Sequence, residues 1–297
     1  LNSGSGTLAG KSQDDVVLDL QAIFRKHGIA ADVRFVPGSE LQSEAQRAVK
    51  RAESKEIDAI VAGGGDGTIS AVAAALAGTD IPLGVLPLGT LNNFAKDLKI
   101  PLHLEEAAAV ISAGVVRSVD VGEVNGQVFI NNSSIGIYPY LVLDRDRRRE
   151  RHGLSKWTAM ALASMRAFRN LPLRRLMVSA PDWQGSYRTP CVFIGNNEYE
   201  LHGSSFGSRQ SLDRGELCLF VADQQSRLAL LWLAVRCITG SVKQRDLKIV
   251  AARAVEVSSH RKRLLVSHDG EIQSMQTPLR YRIRRAAVHV LAASAVQ

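Results

Sequence analysis

Cysteine is scarce. Cys191, Cys218 and Cys237 are the only three in 297 residues, too few, odd in number and too widely spaced for a disulfide framework or a C-x-x-C metal or redox motif. They read as reduced core residues of a cytosolic protein. Long apolar runs are also missing. The longest, LALLWLAV at 228–235 and WTAMALASM at 157–165, are well short of the ~20 residues of a membrane-spanning helix. No basic-then-apolar leader opens the chain, so no signal peptide is expected. The start at LNSGSGT without a methionine reads as a first strand clipped at its front. Internal repeats and low-complexity tracts are absent. The basic clusters HRKR at 260–263 and RYRIRR at 280–285 lie in no recognised nucleic-acid-binding fold and have no aromatic interleaving, so nucleic acid is not an expected partner.

What is present fits a globular protein of about two domains at roughly 150 residues each. Apolar residues make up 45% and charged residues 22% of the chain, ordinary values for such a protein. Lys and Arg outnumber Asp and Glu 37 to 29, a net charge of +8. That excess favours anionic partners such as phosphates, nucleic acid or a lipid surface, without choosing among them.

The first 120 residues alternate between helical and strand periods. DDVVLDLQAIFRKHG places Val16, Leu18, Leu20, Ile23 and Phe24 mostly on one helical face before a stop at Gly28. ADVRFV at 31–36 alternates as a strand, SELQSEAQRAVKRAES is a polar-faced helix and DAIVA a buried strand. ISAVAAALAG, IPLGVLP and LEEAAAVISAG continue as helix, strand and helix. This alternation predicts a doubly wound parallel α/β sheet covered on both faces. After Asp120 the pattern changes to an Asn-Gly hairpin and then short strands from Leu176 to about Val266, with one apolar helix near 228–238. The expected boundaries are an α/β domain at 1–122 and an antiparallel β domain at 123–277. The terminal strand-like segment 278–297 could return to either.

Three segments carry chemistry. In AIVAGGGDGTIS at 59–70, a buried strand ends in glycines and a helix begins. Glycines let a phosphate approach the backbone, and the helix N-terminus favours its negative charge. Asp66 would repel that phosphate, so it reads as a partner of Mg²⁺, its waters or a positive group. A tight turn with an N-cap Asp is the plain alternative. In PLGTLNNFAKDL at 87–98, Gly89, Thr90, Asn92 and Asn93 offer small polar groups where α/β ligands bind, or a capped helix start. HDGE at 268–271 sets two carboxylates about one glycine and is by itself a hairpin turn.

Together, GGGDGT, PLGTLNNFA, NSGSG at 2–6 and DGE at 269–271 resemble the diacylglycerol kinase catalytic-domain superfamily of lipid kinases over essentially the whole chain. The resemblance implies an ATP-binding α/β domain, a β-sandwich substrate domain, a nucleotide in the cleft between them, and ATP with Mg²⁺ as cofactors. By that likeness Asn2, Ser3, Gly4, Ser5 and Gly6 match a nucleotide loop in which Ser3 replaces the family's proline. Gly64, Gly65, Asp66, Gly67 and Thr68 match the phosphate loop, and Thr90 a nucleotide contact. Glu271 falls at the general base with Asp269 beside it, and a positioned proton acceptor is what a hydroxyl attacking a γ-phosphoryl requires. Further positions depart from the pattern. Ser70 and Ala71 stand where many relatives have Asn-Glu, Val36 stands for a nucleotide-contacting Thr, and LDRG at 212–215 replaces the L-D-D-G of a structural-metal loop. Arg214 there leaves the metal ligands unassigned near Asp213.

The function expected is transfer of the ATP γ-phosphoryl group to a hydroxyl of diacylglycerol or a related lipid. The alternatives are an NAD kinase, which shares a G-G-D-G-T loop, and a catalytically weak lipid- or nucleotide-binding regulator. The expected location is cytoplasmic and peripheral to a membrane. The basic stretch DRDRRRERHGLSKW at 144–157 is either the membrane contact or a solvated charge run.

Overall fold

The computed structural model describes residues 1–4, 12–136, 139, 173–200, 207–222, 229, 232, 233, 236, 239, 241 and 247–293. The chain divides into two units. One comprises 1–121, 211–213 and 284–297, the other 122–210 and 214–283.

In the first unit, helix α1 (Gln13–Lys26) starts where the Ser12 side chain accepts the Asp15 N–H, with acids in its first turn and bases in its last, both favourable to the helix dipole. It buries Val16, Leu20 and Phe24, whereas Leu18, expected on that face, is 63% exposed. Helix α2 (Leu41–Glu53) is polar-faced and buries only Ala45. Strand β1 (Ile60–Gly64), helix α3 (Asp66–Leu76) and strand β2 (Leu83–Pro87) follow. Then come the short helix α4 (Asn93–Asp97) and α5 (Leu104–Ala113), which ends at a left-handed Gly114. β1 and β2 pair in parallel from Ile60↔Leu83 to Gly64↔Pro87. All five residues of β2 are buried, as a strand with both faces covered requires. α3 packs on β1 and α5 on β2.

The segment 31–36 is not a strand. Among the described residues its one ladder contact is a parallel bridge between Asn2 and Val36. The Val36 N–H donates to Leu1 O (2.8 Å) and the Ser3 N–H to Val36 O (3.1 Å).

β3 (Val116–Val124) begins in the first unit and ends in the second, where it turns through Asn125-Gly126, both at positive φ, into β4 (Gln127–Phe129), the type of turn that twists with a hairpin. The remaining strands are β5 (Asn132–Gly136), β6 (Arg174–Ala180), β7 (Trp183–Thr189), β8 (Cys191–Asn196), β9 (Leu217–Val221), β10 (Lys248–Ala252), β11 (Ala254–Ser259), β12 (Arg263–His268), β13 (Glu271–Gln276) and β14 (Leu279–Leu291). One sheet is antiparallel in the order β10-β9-β8-β5-β12-β13, and the other runs from the first half of β14 through β11 and β6 to β7. Val192, Ile194, Leu219 and Val266 of one sheet pack with Leu176, Val178, Val257 and Tyr281 of the other. That shared core makes the unit a β-sandwich. Burying each such side chain contributes about 1.5–3 kcal/mol. The second half of β14 counts with the first unit, where Val290 pairs in parallel with Leu83. The apolar helix expected near 228–238 lies largely outside the described residues.

Candidate active site

The first unit brings two glycine loops together at the carboxyl ends of β1 and β2. Gly65 precedes α3 in extended backbone, and its carbonyl accepts the N–H groups of Thr68 (3.0 Å) and Ile69 (3.1 Å). The first-turn N–H groups of Asp66 and Gly67 have no acceptor within their own helix, the arrangement that favours an anion. Gly65 and Gly89 touch: a Cβ on Gly89 would stand 2.4 Å from the Gly65 Cα and 2.8 Å from Asn92 Oδ1. A Cβ on Gly67 would meet nothing within 4 Å.

Polar side chains lock this contact. Buried Asn92 adopts φ +52° and holds Gly89 by both of its backbone polar groups, accepting the Gly89 N–H (2.9 Å) and donating to Gly89 O (2.9 Å). Asp66 reaches across to α4. Its Oδ2 accepts the Asn93 N–H (3.1 Å) and its Oδ1 the Phe94 N–H (3.0 Å). Asp66 therefore ties the two loops, a use that neither of its sequence readings contained. Asn2 Nδ2 donates to Thr68 Oγ1 (2.9 Å), Asn2 Oδ1 accepts the Gly4 N–H (2.9 Å), and the Asn2 N–H donates to Gly63 O (2.9 Å). The start of the NSGSG motif thus lies beside the glycine loop. Ser3 is exposed, as is Thr90. Ser5 and Gly6 lie outside the described residues.

In the second unit, HDGE is a two-residue hairpin. His268 pairs with Glu271, and Asp269 and Gly270 take φ +46° and +90°. The Asp269 carboxylate accepts three backbone N–H groups, from Ile130 (2.7 Å), Asn131 (2.9 Å) and Asn132 (3.0 Å). Asp269, expected beside the base, acts here as a clamp, because both oxygens are engaged by charge-assisted bonds. The carbonyls of the same stretch are held as well. Arg209, 3% exposed, donates to Ile130 O (2.7 Å) and to Asn131 Oδ1 (2.7 Å). Asn196 Nδ2 donates to Ile130 O (2.9 Å), and the Tyr199 hydroxyl to Asn131 O (2.9 Å). Glu271 is exposed at the start of β13. Nothing in the sequence marks Arg209 as a buried cation.

The loop at 212–215 holds no metal cage. Arg214 ion-pairs with Glu198, Asp213 accepts from Ser211, and no group of three His, Cys, Asp or Glu able to hold a metal occurs among the described residues. No described helix is long and apolar enough to cross a membrane, and the basic stretch 144–157 lies outside the described residues.

Comparison with known proteins agrees with this arrangement. Residues 1–124 match the diacylglycerol kinase catalytic domain, and 142–292 match the YegS C-terminal NAD kinase beta sandwich-like domain. A "Diacylglycerol kinase" of Bacillus subtilis (strain 168) is 45% identical over 104 residues, 34% of this chain and 34% of its own length. A "Probable lipid kinase YegS" of Escherichia coli O17:K52:H18 is 38% identical over 134 residues, 43% of this chain and 44% of its own length. The matched stretches thus span less than half of these curated relatives. The crystal structure of a diacylglycerol kinase from Bacillus anthracis str. Sterne superposes with a TM-score of 0.65 at 18% identity, covering 97% of this chain and 94% of its own. A second structure from that organism reaches 0.72 at 22% identity, covering 97% and 95%. At these identities the structures speak for the fold. With both domain types matched in order, the chain belongs to the diacylglycerol kinase catalytic-domain superfamily, in the form that carries a YegS-type C-terminal β-sandwich.

Proposed function

We propose that the protein is a lipid kinase that transfers the γ-phosphoryl group of ATP to a hydroxyl of diacylglycerol or a related lipid, working at a membrane surface. The observation that carries this reading is the contact of Gly65 with Gly89 at the N-terminus of α3, braced by Asp66 and Asn92. Side chains are excluded there while backbone donors face outward, as a polyphosphate requires. Thr68, held by Asn2, and exposed Thr90 would border the nucleotide, with Ser3, Gly4 and Gly64 as backbone neighbours.

The residues fit Mg²⁺ as the nucleotide's own counter-ion, since this ion is commonly held by substrate phosphates and waters with one or two carboxylates. Asp66 is the acid at the cradle. When bound, the ion would neutralise charge on the transferred phosphoryl group. Glu271 would accept the proton of the attacking hydroxyl. Its carboxylate stands on a hairpin whose neighbouring residue, Asp269, is fixed to the backbone of 130–132, so the base would be pre-positioned rather than mobile.

The test is transfer of labelled γ-phosphate from ATP to a panel of diacylglycerol, monoacylglycerol, sphingoid base and NAD. Labelled phosphatidic acid or another lipid phosphate is the expected product. Phosphorylation of NAD alone would replace this reading, and ATP binding with no transfer to any acceptor would leave a nucleotide-binding regulator.

A further inference from the structure

We propose that one end of the β6-β7-β11 sheet is a docking surface for an anionic lipid bilayer. The register places Arg175 directly opposite Arg188, and Leu176 opposite Ser259. The turn that follows Ser259 therefore brings Arg261 and Lys262 to the same end of the sheet as Arg175. All four side chains are exposed. Segments 173–179, 184–190 and 257–267 contain no Asp or Glu.

Like charges directly opposite each other on paired strands are destabilising. Two other cations of this sheet are paired: Arg280 with Glu256 (3.3 Å) and Arg282 with Glu123 (2.8 Å). Arg175, Arg188, Arg261 and Lys262 form no ion pair among the described residues. A set of cations kept together at a cost to the fold suits an anion supplied from outside. Met177, in register with Ser186 and Ser258, is 48% exposed beside them, giving an apolar group that can enter a headgroup layer. A single-stranded nucleic acid would look for stacking platforms. The aromatics of β7, Trp183 and Tyr187, instead stack on each other at 5.6 Å and pack against the sandwich core.

This inference takes the membrane setting of the kinase reading as its context but not its route for the acceptor lipid, since Arg261 and Lys262 lie at the end of β12 opposite His268 and Glu271; its test needs neither ATP nor a substrate lipid, so the two fail separately. The full chain is sedimented with phosphatidylcholine vesicles with and without phosphatidylglycerol, over a salt series. Each cation near the surface should contribute about fivefold to partitioning. Arg175→Gln with Arg188→Gln should lower binding to the anionic vesicles by more than about tenfold, and adding Arg261→Gln and Lys262→Gln should abolish it. The double variant should melt no lower than wild type, since it removes a like-charge pair, so lost binding cannot be blamed on unfolding. Three results would overturn the proposal: unchanged partitioning of the four-site variant, equal wild-type binding to vesicles lacking phosphatidylglycerol, or tighter binding to an RNA oligomer than to the vesicles at the same salt.

Discussion

The Asp66 carboxylate accepts the Phe94 backbone N–H at 3.0 Å, joining the glycine loop to the start of a helix 28 residues further along. A second bond, to the Asn93 N–H, makes the joint bidentate. Asn at position 66 would keep one acceptor oxygen and turn an N–H₂ toward the other donor. Asp66→Asn should therefore lower stability by about 1–2 kcal/mol, some 2–8 °C in melting temperature, and weaken ATP binding even in EDTA. A residue acting only through Mg²⁺ would leave both the melting temperature and metal-free nucleotide affinity unchanged.

Two glycines of the cradle separate packing from ligand approach. Gly89→Ala drives a Cβ to 2.4 Å from the Gly65 Cα, so the loops must part, at about 1–3 kcal/mol. Gly67 lies in the first turn of α3 with open space about it, and Ala there should hold or raise stability by up to about 1 kcal/mol. If phosphates approach at this turn, Gly67→Ala should nonetheless weaken ATP binding by about tenfold or more. Calorimetry on both variants checks the pair. Full ATP affinity in Gly67→Ala would move the phosphates elsewhere.

How far the sequence could be read depends on the range of the interaction. The helices and strands of the α/β unit were legible because their apolar periods are local, and GGGDGT because a strand ending in glycines leaves few alternatives. The segment 31–36 alternates like a strand, but among the described residues it pairs only through Val36 with Asn2, and pairing is a non-local property. Leu18 sits in a helix whose buried stripe is narrower than its apolar content. The site residues failed in the same way. Asp66 and Asp269 find their donors 27 and 138 residues away, and Arg209 is set 78 residues from Asn131. Residue type alone could not reveal that these acids serve as braces. Strand β7, WQGSYRT, carries a weak sequence signal, because its inward positions are Trp183, Gly185, Tyr187 and Thr189, and a glycine and a threonine among them blur the apolar alternation.

Cys218 on β9 supplies a pH-dependent signature. Burial first, and then the nearby Glu198 carboxylate, push its thiol from 9.0 up to about 12. The fold thus favours the neutral thiol. Its contribution to stability is complete below the unfolded value near 9 and is lost as pH rises toward 12. Wild type should lose stability more steeply than Cys218→Ala through that alkaline window, as read by urea denaturation. Native Cys218 should also resist a thiol reagent at pH 8, although unfolded chain reacts. Rapid modification of Cys218 in the folded protein would contradict this burial.

Asp269 and Glu271 stand on one hairpin and should give opposite phenotypes. Asp269→Ala removes the shared acceptor of three backbone N–H groups, each partly shielded from water. Stability should fall by about 2–4 kcal/mol, and activity should fall with it as the 130–132 stretch loosens. Glu271 is exposed, so Glu271→Gln should change stability by no more than about 0.5 kcal/mol while lowering kcat by about 10²–10⁴-fold with ATP affinity intact. Thermal melts, ATP calorimetry and turnover on a verified lipid acceptor, run on both variants, distinguish brace from base. A stable Asp269→Ala would show that the clamp contributes little. Near-normal turnover in Glu271→Gln would place the proton acceptor on another residue or on the phosphates themselves.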